Sequence, residues 1–83
     1  MYTKYYCEPE PDGEGRRQIK GIEGRTGYYL TASNTIRSTE GGDTGYYISS
    51  DDRYIHGPNG KTAYYPKDDG GFWGPEENLP WMS

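Results

Sequence analysis

Thr44-Gly45-Tyr46-Tyr47-Ile48-Ser49-Ser50-Asp51-Asp52-Arg53-Tyr54-Ile55-His56-Gly57-Pro58-Asn59-Gly60-Lys61 is one unit of an internal repeat. Its head, Thr-x-Tyr-Tyr, recurs as Thr3-Lys4-Tyr5-Tyr6, Thr26-Gly27-Tyr28-Tyr29 and Thr62-Ala63-Tyr64-Tyr65. The last three heads start 18 residues apart, and the first precedes the second by 23. A second series interleaves with the first: Ile19-Lys20-Gly21, Ile36-Arg37-Ser38, Ile55-His56-Gly57 and Phe72-Trp73-Gly74, at spacings of 17, 19 and 17. Two series in phase define four units, and self-similarity at a fixed period decides the architecture before any single residue does.

Each unit holds two short runs rich in Tyr, Ile and Thr, the residues that suit a pleated surface. Gly, Asn and Asp separate the runs and set tight turns. Asn59-Gly60 has the composition of a type I′ hairpin turn, and Asp51-Asp52 and Asp68-Asp69-Gly70 mark the other turn of the unit. No window carries a helical period, and 13 Gly with 6 Pro would interrupt one. The expected fold is therefore all-β: one antiparallel meander of about eight short strands, as an open sheet or a small barrel. It spans residues 1–83 as a single domain, with a loop-like insertion at about 8–17 and a C-terminal tail from about 76 to 83.

Period-two alternation assigns the faces. Thr44, Tyr46 and Ile48, with Thr26, Tyr28 and Leu30, share the more apolar side. Together with Ile19, Ile36, Ile55 and Phe72 they form the expected core. The opposite side carries a row of Tyr6, Tyr29, Tyr47 and Tyr65 flanked by Lys20, Arg37, His56 and Trp73. Such a row has a plain structural use, as rings covering glycine and cations lying over rings across strands. It also has the composition of an interface hot spot. The candidate binding residues are accordingly Tyr29, Tyr47, Tyr65, Trp73, Arg37 and His56. Trp81 is a further contact or a cap on the core.

Composition narrows the function. Only 30% of the 83 residues are hydrophobic and 10 are Tyr, so the core is thin and aromatic. A net charge of −4, with acidic and basic residues interspersed, disfavours a nucleic-acid partner. The single cysteine, Cys7, cannot form an intramolecular disulfide. No apolar run is long enough for a membrane span or a signal peptide, and the expected location is cytoplasmic. One histidine and one cysteine supply neither an oriented base for nucleophilic catalysis nor the four ligands of a zinc site. No enzyme, metal or cofactor is expected. Asp51-Asp52 and Asp68-Asp69 suit turns better than a calcium loop, which needs six to eight oxygens.

Gly-x-Tyr-Tyr followed by an acidic turn resembles the choline-binding modules. The present unit is shorter, and only Trp73 and Trp81 supply indoles. The resemblance implies a ligand held by stacked or caged rings. Three classes of function follow. The leading one is a small acidic protein-binding module, of the accessory or inhibitory kind found in bacteriophages and mobile elements. The second is a binder of carbohydrate or a choline-like cation. The third is a self-associating structural repeat that pairs through open sheet edges into a homo-oligomer.

Overall fold

The Thr hydroxyls of the four heads set the geometry of the molecule. Thr26 Oγ1 donates to the Ile19 carbonyl (2.7 Å), Thr44 to Ile36 (2.7 Å) and Thr62 to Ile55 (2.6 Å). Thr3 donates to Phe72 (2.8 Å), across 69 residues of chain, and so bonds the fourth unit to the first. In each head the same oxygen also accepts the N–H of the first Tyr, at 3.1–3.2 Å. The side chain thus satisfies two backbone groups that the ladder leaves unpaired.

The ladder lapses there because three of the heads bulge and the fourth interrupts its strand. In the computed structural model, which describes residues 1–82, Lys4, Gly27 and Gly45 have φ of 71, 89 and 84°. Register shifts accompany them, between Tyr2 and Tyr6, between Ile19 and Lys20, and between Ile36 and Arg37. The strands are β1 (Tyr2–Cys7), β2 (Arg17–Gly21), β3 (Gly24–Leu30), β4 (Thr35–Ser38), β5 (Gly42–Ile48), β6 (Ile55–Gly57), β7 (Gly60–Lys61), β8 (Tyr65–Pro66) and β9 (Gly71–Trp73). All pairings are antiparallel, in the order β7-β6-β5-β4-β3-β2-β1-β9-β8. A bulge raises the local twist and bends its strand, and the repeated bulge curls this sheet. Its two edges, β7 and β8, are pieces of one run separated only by Thr62, Ala63 and Tyr64. Across that seam Thr62 N donates to Ile55 O and Ile55 N donates to Tyr64 O, both at 2.9 Å.

The meander expected from the repeat is therefore present. The expected eight runs become nine strands because the fourth head divides its own strand. One turn sits a residue earlier than its composition suggests. Gly57 pairs with Gly60, so Pro58-Asn59 are the central residues. Pro58 presets φ at the first of these positions, and Gly60 takes the left-handed conformation at φ 106° as the first paired residue.

Cys7, Ile19, Leu30, Ile36, Ile55, Tyr64, Phe72 and Leu79 are buried and form one cluster inside the curl. The face assignment holds, with Ile19, Ile36, Ile55 and Phe72 all at 0% exposure. The first Tyr of each head lies over the small residue two positions after the core residue of the next strand. Tyr5 covers Gly21, Tyr46 covers Gly57 and Tyr64 covers Gly74, while Tyr28 is paired with Ser38. A Cβ at Gly57 or Gly74 would stand 2.3 or 2.1 Å from the ring above it. The tail completes the core. Leu79 is fully buried, and Trp81 sits against Tyr28, Tyr46 and Phe72 at centroid distances of 6.2, 5.6 and 6.3 Å. No helix is long and apolar enough to cross a membrane among the described residues.

Candidate functional site

The second Tyr of each head points outward and is in register with the residue after the core position of the neighbouring strand. The pairs are Tyr6 with Lys20, Tyr29 with Arg37, Tyr47 with His56 and Tyr65 with Trp73. The two sequence series thus meet residue by residue. On a curled sheet, however, four pairs distributed round the outside face different directions, and a partner reaches only neighbouring ones.

Contacts between pairs show which of them are continuous. The Tyr47 and His56 rings stack at 5.5 Å, 21° from parallel. His56 Nε2 shares its hydrogen with both oxygens of Asp52 at 3.1 and 3.2 Å. Asp52 also meets Lys61 Nζ at 3.6 Å, and that ammonium lies 4.1 Å from the centre of the Tyr54 ring. Tyr54 packs on Tyr65 at 5.4 Å, and Tyr65 is in register with Trp73. Trp73 contacts the Tyr2 ring at 5.6 Å and carries Lys67 Nζ 4.0 Å above its own centre. One strip of rings and cations therefore runs from Tyr47 to Tyr2. Both terminal rings are among the exposed large side chains, at 43% and 40%.

Of the residues singled out from sequence, Tyr47, His56, Tyr65 and Trp73 lie in this strip. Tyr29 and Arg37 pair with one another in a different place, where the Arg16 guanidinium covers Tyr29 at 4.8 Å. Trp81 is packed on the core and belongs to neither. Tyr2, Tyr54, Lys61 and Lys67 were not apparent from the sequence. The missed signal was available for Tyr54, because residues on both sides of Ile55 must share the face opposite to it.

The remaining chemistry-bearing groups are held locally. Asp52, Asp43 and Asp69 each accept the backbone N–H two residues on, at 2.9 Å, which is the turn role of an Asp. The Tyr54 N–H bond, with His56 and Lys61 nearby, holds the Asp52 carboxyl below the usual carboxylate range. Cys7 is buried with its Sγ 3.7 Å from the Arg17 carbonyl, and burial pushes its thiol up. His56 lies outside, so the two face opposite sides of the sheet. Within the described residues no group of His, Cys, Asp and Glu is arranged to hold a metal ion. Comparisons with family models, with curated proteins and with solved structures found no match.

Proposed function

We propose that the chain is a non-enzymatic protein-binding module whose contact surface is the strip from Tyr47 through His56, Tyr54, Tyr65 and Trp73 to Tyr2. The observation that carries this reading is the continuity of the strip. Five aromatic rings and His56 adjoin one another on the outside of a sheet whose core needs none of them. Tyr and Trp bring large, stiff contact area at low entropic cost and dominate interface energetics. Lys61 and Lys67, each over a ring, give the strip a basic character within an acidic chain, which suits a partner offering carboxylates between apolar contacts. Accessory or inhibitory action in a reducing compartment, the cytoplasm, agrees with one buried cysteine and no disulfide.

Affinity capture with the intact chain, identification of a stoichiometric partner and equilibrium titration test this reading. Replacing Tyr47 or Trp73 with Ala should weaken binding by about 2 kcal/mol or more, with the thermal midpoint little changed. Asp51→Asn and Asp68→Asn should mainly alter the association rate and its salt dependence. A partner whose affinity ignores both aromatic changes and is lost with the Asp changes would place recognition on the acidic turns instead. Saturable quenching of Tyr and Trp fluorescence by sugars or choline would favour the small-ligand reading. Self-association through open edges has less to use, since the edges are two residues long and adjoin across the seam.

A further inference from the structure

The end of the curled sheet away from Trp81 is ringed by equivalent positions of the four units. The residues after the Tyr pairs are Cys7, Leu30, Ile48 and Pro66, those two before the core positions are Arg17, Asn34, Arg53 and Gly70, and the two sets meet in three pairs. Cys7 N donates to Gly70 O at 2.8 Å, Ile48 N donates to Asn34 O at 2.9 Å, and Leu30 is in register with Arg17. All eight line one cavity of about 430 Å³, together with Ser49, Ser50, Lys67 and Asp68.

The charge of that cavity runs against the charge of the chain. Arg17, Arg53 and Lys67 are among its lining residues, and Asp68 is its only acidic one, although the protein as a whole is at −4. None of the three cations has a carboxylate within ion-pair distance among the described residues, whereas Arg16, Lys20 and Lys61 elsewhere do. Arg17 is anchored by its Nε donating to the Glu8 carbonyl at 2.8 Å, which leaves the other guanidinium nitrogens for the cavity. The nearby carboxylates are committed elsewhere: Glu8 to Lys20, Asp52 to His56 and Lys61, and Asp69 to the Gly71 N–H.

Arg53 adds a conformational oddity. Its φ is 63°, and its equivalents Asn34 and Gly70 are also left-handed, at 66 and 89°. Asn and Gly adopt this region at little cost, whereas a long side chain is strained there. Strain kept at one position is a reason to look for a use of the side chain. Here Arg53 lines the cavity.

We propose that this cavity binds a compact oxyanion, a phosphate or carboxylate group, through Arg17, Arg53 and Lys67, with the Ser49 and Ser50 hydroxyls as further donors. Guanidinium groups match the planar or tetrahedral oxygens of such a group, and paired contacts to charged oxygens are the strong ones. The site shares Lys67 with the aromatic strip, where its Nζ lies over Trp73, whereas Arg17 and Arg53 belong to the cavity alone, so Arg53→Gly distinguishes the two.

The test is a titration of the isotopically labelled intact chain, followed by amide NMR, with inorganic phosphate and with acetate. Sodium chloride at matched ionic strength is the control. Saturable shifts confined to residues 17, 34, 49–53 and 67–70 are expected. The anion that saturates at lower concentration names the source as phosphate-bearing or carboxylate-bearing. Arg53→Gly should raise the thermal midpoint, because it relieves the backbone, and should weaken anion binding at least tenfold. Lys67→Gln should weaken binding without raising the midpoint, and Lys4→Gln, at the opposite end, should leave binding unchanged. Shifts that never saturate, shifts reproduced by chloride, or undiminished binding by both Arg53→Gly and Lys67→Gln would overturn the proposal.

Discussion

Thr44 illustrates how much one side-chain atom carries in this fold. Its Oγ1 donates to Ile36 O and accepts from Tyr46 N, so a single hydroxyl closes two gaps that the bulge opens in the ladder. Thr44→Val keeps the shape and removes the oxygen, and should cost about 1–3 kcal/mol. Thr44→Ser keeps the oxygen and should cost distinctly less, as read by chemical denaturation. Asp12 plays a comparable part in the first loop. Its carboxylate accepts the N–H of Arg16 and of Glu14 and the amide of Gln18. The backbone bond from Arg16 is the largest cause holding it down at about 2, followed by Gln18. An unfolded Asp titrates near 3.9. The folded value is the lower one, so the loop's contribution is complete above about pH 4 and is lost as pH falls towards about 2. The gap in thermal midpoint between the wild type and Asp12→Asn should therefore narrow in acid. A gap constant from pH 6 to 2 would refute this.

At the scale of the strand, the bulge explains what could be read in advance and what could not. Thr-x-Tyr-Tyr announced a strand, and alternation across Thr44, Tyr46 and Ile48 gave the correct inner face. The sequence contained the bulge too, as Gly27 and Gly45 between β-prone neighbours, since glycine inside a strand pattern marks such a site. Lys4 and Ala63 at the same position concealed it. Lys4 adopts φ 71° regardless, while Ala63 is not left-handed and its strand breaks into β7 and β8 instead. Exchanges at these sites should have opposite signs. Gly27→Ala, whose Cβ would meet nothing closer than 3.7 Å, should destabilise by about 1 kcal/mol from φ alone. Lys4→Gly should stabilise by up to about 1 kcal/mol. Equal and unfavourable effects at both would show that the bulge conformation is not what separates them. The outer strip was legible only in part. Pairing of Tyr47 with His56 and of Tyr65 with Trp73 follows from register. Which pairs adjoin depends on how far the sheet curls, and no local pattern encodes that.

On the scale of the molecule, four core positions share one environment. Ile36→Ala, Ile55→Ala and Phe72→Ala should each cost on the order of 2–5 kcal/mol, against a total stability of roughly 5–15 kcal/mol for a domain. Lys20→Ala and Arg37→Ala, on the outer face, should stay within about 0.5 kcal/mol. Denaturant midpoints that fail to separate the two groups would contradict the face assignment. The C-terminal tail is structural: Leu79 is fully buried, and Trp81 sits against Tyr28, Tyr46 and Phe72.

The bond from Thr3 to Phe72 has a further consequence for how the repeats depend on one another. In a linear repeat array each unit meets only its neighbours, stability grows roughly unit by unit, and a unit can be removed with a proportionate loss. Here the first and fourth units are neighbours too, and the Met1 ammonium reinforces the junction by donating to Gly74 O at 2.7 Å. The number of units is thereby fixed by the circumference, not by the length of the chain. An 18-residue duplication or deletion that keeps every local signal intact still leaves a circle of the wrong size. Such a chain can drift in sequence one residue at a time, but it cannot grow by adding repeats.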